Sequence, residues 1–131
     1  MKSLVLAVDF DGTIVEDRYP EIGKPLPFAI DTLKRLNADG HRIVLWTFRH
    51  GRPLRHAVEF LESQGVQLYA VNQSFPEESE QLDGYSRKIH ADWFIDDRNI
   101  GGFLGWGVVY QQISQKPLPT VPPQKKKWGL F

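Results

Sequence analysis

Two carboxylates close an apolar run near the amino terminus. The stretch LVLAVDFDGTIV, residues 4–15, sets Asp9 and Asp11 on either side of Phe10. Two anions about 4 Å apart repel by roughly 4 kcal/mol at an effective dielectric of about 20, so such a pair calls for a cation. A second acidic pair, Asp96 and Asp97, closes another apolar run, IHADWFIDD at 89–97. Asp9, Asp11 and Asp97 are thus a candidate metal set. Hard oxygen donors with no histidine or cysteine nearby favour Mg²⁺, which keeps several waters and accepts phosphate oxygens. An aspartate beside such an ion is a nucleophile toward phosphorus, by way of an aspartyl-phosphate. Thr47, just after the apolar RIVLW, could hydrogen-bond the phosphoryl oxygens, and Lys88 could neutralise their charge. An EF-hand fails, because the sixth and twelfth positions counted from Asp9 are Ile14 and Pro20.

These residues need a frame that gathers them. Residues 3–8 read as a strand apolar on both faces, as in the centre of a parallel sheet. Residues 14–25, broken by Pro20, Gly23 and Pro25, read as a loop or small flap. Ile30, Leu33 and Leu36 then recur at helical spacing, and Gly40 supplies a stop. Residues 42–46 predict a second strand, 53–64 a second helix with proline in its first turn, and 66–71 a third strand. A loop over 72–86 leads to a fourth strand within 89–97. A glycine-rich turn at 101–107 and a short helix over VVYQQIS follow. This alternation predicts an α/β fold: a single Rossmann-like three-layer α/β/α domain with a mainly parallel central sheet. Ligands of such sheets bind at the carboxyl ends of the strands, where Asp9, Thr47 and the Asp96–Asp97 pair all fall. If the extended geometry persists through Phe10, Asp9 and Asp11 point to one side and Phe10 points into the core.

The 131 residues suit one domain, and 41% hydrophobic with 24% charged residues is ordinary for a globular protein. With no cysteine, disulfides, thiolate zinc sites and a cysteine nucleophile are excluded. No apolar run approaches the ~20 residues of a membrane span, and no cleavable signal peptide is read at the amino terminus. A cytoplasmic protein is the expectation. The zero net charge hides an asymmetry: residues 1–97 carry 11 basic and 16 acidic groups, and the remainder carries +5. A general nucleic-acid face is not supported. Residues 116–131, KPLPTVPPQKKKWGLF, form a proline- and lysine-rich tail expected to be mobile or docked on a partner. Its Trp128, Leu130 and Phe131 suit contact with a partner or a second copy of the chain.

Taken together, the motifs resemble those of the haloacid dehalogenase superfamily of phosphohydrolases. DFDGT at 9–13 looks like the first motif, and VLWTFR at 44–49 looks like the second. Lys88 fits the third, and WFIDD at 93–97 the fourth. The resemblance spans residues 3 to about 110. It implies Asp9 as nucleophile, and Asp11 as general acid for the leaving group, then base for water, with its main-chain carbonyl on the metal. It implies Asp97 as the direct metal ligand, with Asp96 behind it or in its place, and Thr47 and Lys88 as catalytic partners. Gly12, Thr13, Phe48 and Arg49 would meet the substrate. Only 14–25 and 72–87 stand where the family inserts cap domains, so residues 1–115 resemble a small capless member. The implied activity is Mg²⁺-dependent hydrolysis of a phosphate monoester, on a small molecule or a macromolecule. Tyr19, Glu21, Arg49, His50 and the 72–85 loop would be the specificity elements. Two alternatives use the same residues: a phosphotransferase, and a phospho-accepting switch like a bacterial receiver domain. The switch would carry its acceptor on the third strand, where VQLYAV ends in Asn72.

Overall fold

In a computed structural model, residues 2–115 are described; the 116–131 tail, and the expectation placed on it, lie outside them. Four strands form one sheet: β1 (Val5–Val8), β2 (Arg42–Leu45), β3 (Ala70–Val71) and β4 (Trp93–Ile95). Their order is β3-β2-β1-β4, and every pairing is parallel. Three helices accompany it among the described residues: α1 (Ala29–Ala38), α2 (Gly51–Ser63) and α3 (Trp106–Ser114). The α/β class and the parallel sheet are as the sequence predicts. Among the described residues, no helix is long and apolar enough to cross a membrane.

Strand alternation divides the core into two unequal halves. Leu6, Val8, Ile43, Leu45 and Ile95 share one cluster with residues of all three helices: Leu33 and Leu36 of α1, Ala57 and Leu61 of α2, Trp106 and Val109 of α3. On the other face, Ala7, Val44 and Ala70 are covered by Ile89. The irregular segment 72–92, rather than a helical layer, therefore closes this second side. Side-chain links tie the helices together. The Tyr110 hydroxyl donates to Asp39 Oδ2 at 2.8 Å, beneath the Arg35 guanidinium, 5.4 Å from the ring centroid.

The differences from the expected element bounds have local causes. β3 keeps only the last two residues of the apolar run 66–71. Upstream, the Val66 N–H closes on the Leu61 carbonyl at the end of α2, and Gln67 exchanges two backbone hydrogen bonds with the Asn37 side chain. Those groups are spent before the ladder begins. α2 starts two residues before Pro53, which sits in the first turn, where its missing N–H costs nothing. α3 begins at Trp106, whose indole N–H donates to the Thr13 carbonyl at 2.7 Å and anchors the helix to the turn after β1.

Candidate active site

Parallel strands bring their carboxyl ends to one edge, and the acidic pairs meet there. Asp9 follows β1, and its N–H bonds the Ile95 carbonyl at 3.0 Å, extending the ladder by one residue. Asp96 and Asp97 follow β4 directly. Carboxylate oxygens of Asp9, Asp96 and Asp97 lie within 4.8 Å of one another. Thr13 sits beneath them, fully buried. Its Oγ1 accepts the Asp97 N–H at 2.9 Å and stands 3.3 Å from both Asp9 Oδ2 and Asp97 Oδ1. One hydroxyl proton serves one carboxylate at a time, so the acids are under-neutralised. Gly12, at φ +87°, leaves the space that the Asp97 carboxylate fills; a Cβ there would collide with it.

This crowding has an electrostatic signature. The Asp9 carboxyl is pushed up to about 7 from its ordinary 3.8, first by burial, then by the Asp96 charge and the Asp97 carboxyl, against the opposing pull of the Phe10 N–H. Three all-oxygen donors of like charge, converging at a strand edge, fit a hard divalent cation such as Mg²⁺. The side-chain carboxylates that converge are those of Asp9, Asp96 and Asp97; the Asp11 carboxylate is not among them. Asp96 rather than Asp97 reaches the open cleft, while Asp97 is turned toward Gly12 and Thr13.

The Asp11 carboxylate stands apart from those three because the strand does not continue. The Phe10 carbonyl accepts the N–H groups of Thr13, Ile14 and Val15, which bends the chain into a turn. Phe10 still points into the core, fully buried. The Asp11 carboxylate, carried on the turn, meets Arg49 in a two-pronged ion pair, Nε to Oδ2 at 2.7 Å and Nη2 to Oδ1 at 2.8 Å. Arg49 was expected at the substrate and is instead buried.

A cleft of about 710 Å³ opens above the acids. Asp9, Asp11 and Asp96 form its floor, Thr47 and Trp46 one wall, and Asp17, Tyr19, Phe48 and Arg98 its rim. Thr47 is fixed from both sides: its N–H donates to Asn72 Oδ1 at 2.7 Å, and its Oγ1 accepts the Arg49 N–H at 3.0 Å. Asn72 holds φ 54°, in the left-handed region that asparagine tolerates, and this turns the chain at the end of β3. Phe48 is 77% exposed, and its ring packs 5.4 Å from that of Tyr19 across the rim.

Lys88 is not in this cleft. It lies over the Phe94 ring, 5.9 Å from its centroid, in a separate cavity with Ser74, Glu78 and His90. Thr13, buried under the acids, does not face a substrate either, and Gly12 packs on Asp97 rather than lining the cleft. Sequence reasoning passed over Asp17, Trp46 and Arg98, as well as the supporting role of Asn72. Arg98 was findable: it directly follows Asp96–Asp97, so it emerges at the same sheet edge.

Among solved structures, a conserved protein of Bacteroides thetaiotaomicron is 49% identical over 88% of this chain and 93% of that one, and superposes with a TM-score of 0.82. The chain belongs to that protein's family. Identity this high over nearly the whole length means that the two share the parallel-sheet fold. No protein-family profile matches the chain, and no curated protein does so.

Proposed function

We propose that the protein is a Mg²⁺-dependent phosphatase of the haloacid dehalogenase type, hydrolysing a phosphate monoester through an aspartyl-phosphate. One observation carries the reading: three carboxylates from two strand ends converge within 4.8 Å, in a cleft whose floor also holds Asp11. Asp9, Asp96 and Asp97 would hold the ion, which supplies charge neutralisation for an incoming phosphate. A carboxylate oxygen of Asp9 attacks phosphorus, forming an O–P bond as the ester P–O bond breaks toward the leaving oxygen. The Asp11 carboxyl gives that oxygen its proton. Water then attacks the phosphoryl group while the Asp11 carboxylate takes its proton. The Asp9 O–P bond breaks and inorganic phosphate leaves. Thr47 and Arg98, at the wall and rim, are the groups available to bind phosphoryl oxygens. The rim aromatics Tyr19 and Phe48 offer an apolar surface to the alcohol part of the ester.

The test is a screen of sugar phosphates, nucleotides and phosphoproteins with Mg²⁺, with Asp9→Asn as control. Turnover is expected to vanish on chelation, return with Mg²⁺, and be absent in Asp9→Asn. Undiminished turnover in a verified, undeamidated Asp9→Asn would remove the nucleophile and the proposal with it.

A further inference from the structure

Arg49 is the largest fully buried side chain among the described residues. A guanidinium has five N–H donors, and leaving any of them unpaired in the interior is costly. Here all five are placed. Nε and one Nη2 hydrogen go to the two oxygens of Asp11. The other Nη2 hydrogen goes to the Glu21 carbonyl at 2.6 Å, and Nη1 donates to the carbonyls of Pro20 and Pro53, each at 3.1 Å. The plane is held between two rings, with its centre 4.9 Å from the Phe10 centroid and 5.2 Å from that of Tyr19. One side chain thus joins the turn after β1, the flap with its rim residue Tyr19, and the first turn of α2.

We infer that Arg49 is the positioning residue for Asp11, fixing the orientation of its carboxyl and bolting it to the flap at residues 20–21. The inference rests on the phosphatase reading above. A two-pronged pair uses one lone pair on each Asp11 oxygen and leaves a second on each. The carboxyl is thereby held in one orientation and cannot rotate away from the cleft it lines. Because the same arginine holds the carbonyls of Pro20 and Glu21, next to Tyr19 at the rim, a shift of the flap is transmitted to the proton donor. The sequence alone placed Arg49 against the substrate; its burial gives it an indirect role instead.

The experiment compares two esters on full-length protein with Mg²⁺ supplied: glycerol phosphate, whose alkoxide needs a proton to leave, and p-nitrophenyl phosphate, whose phenolate does not. Lysine keeps the charge of Arg49 but replaces a planar fork with a point contact. In Arg49→Lys, kcat on the alkyl ester is expected to fall on the order of 10²-fold further than kcat on the aryl ester, the scale of a lost general acid. KM should move little. A purely structural defect lowers both esters together, and equal losses would overturn the inference while leaving the phosphatase reading intact. Wild-type protein inert toward both esters, and toward the wider screen, would sink that reading and the inference together. Should Arg49→Lys fail to fold, the wild-type chain still decides. The Arg49 Nε–H is expected to exchange slowly with solvent by NMR and to lose that protection in Asp11→Asn. Fast exchange in the wild type would overturn the inference.

Discussion

Asp9 carries the chemical tension of the site. Its carboxyl is raised to about 7 because the fold buries it beside Asp96 and Asp97. A raised pKa means that the folded state holds the proton more tightly than the unfolded chain does. The stabilising contribution is complete below about pH 4 and is lost as pH rises through about 7. Metal-free protein should therefore melt at lower temperature as pH climbs through this window. A divalent cation binds the carboxylate form and competes with the proton. The rise in melting temperature on adding Mg²⁺ should be larger at alkaline than at mildly acidic pH; equal shifts at both would mean that Asp9 is not a ligand. Asp9→Asn removes one of three repelling charges and should raise the metal-free melting temperature at alkaline pH while abolishing turnover. That pairing of higher stability with lost function marks a site built at the expense of the fold.

At the scale of elements, the turn after β1 organises the acids, and Gly12 is its critical position. The residue needs φ +87°, and its α-hydrogen faces the Asp97 carboxylate where a methyl would collide. Gly12→Ala is expected to cost roughly 1–3 kcal/mol of stability, measured by urea unfolding, for backbone strain alone. It should also abolish the Mg²⁺-induced melting shift, because Asp97 must move. A second anchor of the same turn is the Trp106 indole on the Thr13 carbonyl. Trp106→Phe leaves that buried acceptor unpaired, and about 1–3 kcal/mol should be lost in the same measurement. Much of this scale was legible in the sequence. Apolar runs closed by Asp9, Thr47 and Asp96 placed three strand ends correctly, since a parallel sheet imposes its own edge. The turn at residues 10–15 was not legible, because it depends on which N–H groups the Phe10 carbonyl collects. Extending the strand through it is what set the Asp11 carboxylate beside that of Asp9, when the turn carries it to Arg49 instead. Nor does charge type reveal that Arg49 is buried, because five acceptors from three segments must first be assembled around it.

Strand direction across the whole molecule decides which cations can reach the acids. β4 runs parallel to β1, from Trp93 toward Asp96 at the cleft. The residue that leads directly into β4, Asp92, sits at the opposite edge of the sheet. Lys88, four residues earlier, lies on the second face, over the Phe94 ring and beside Ser74, outside the cleft lining. Its neighbour Ile89 is pinned in the second-face core against Ala7, Val44 and Ala70, and the Asp92 N–H is bonded to the Val5 carbonyl at 2.8 Å, at the start of β1. Arg98 comes after β4 and lines the cleft, its N–H bonded to Asp96 Oδ1 at 2.8 Å. The cationic partner for a phosphate dianion is thus expected to lie downstream of the acidic pair, not upstream. Lys88→Ala should change kcat/KM by no more than about twofold, as for a surface substitution remote from the chemistry. Arg98→Ala should raise KM on the order of tenfold, the effect of losing about 1.4 kcal/mol of contact to a charged substrate. Steady-state kinetics of the two variants on one phosphate ester separates the readings. A crippled Lys88→Ala beside an unaffected Arg98→Ala would mean that Lys88 leaves its cavity on the second face and enters the cleft when substrate binds.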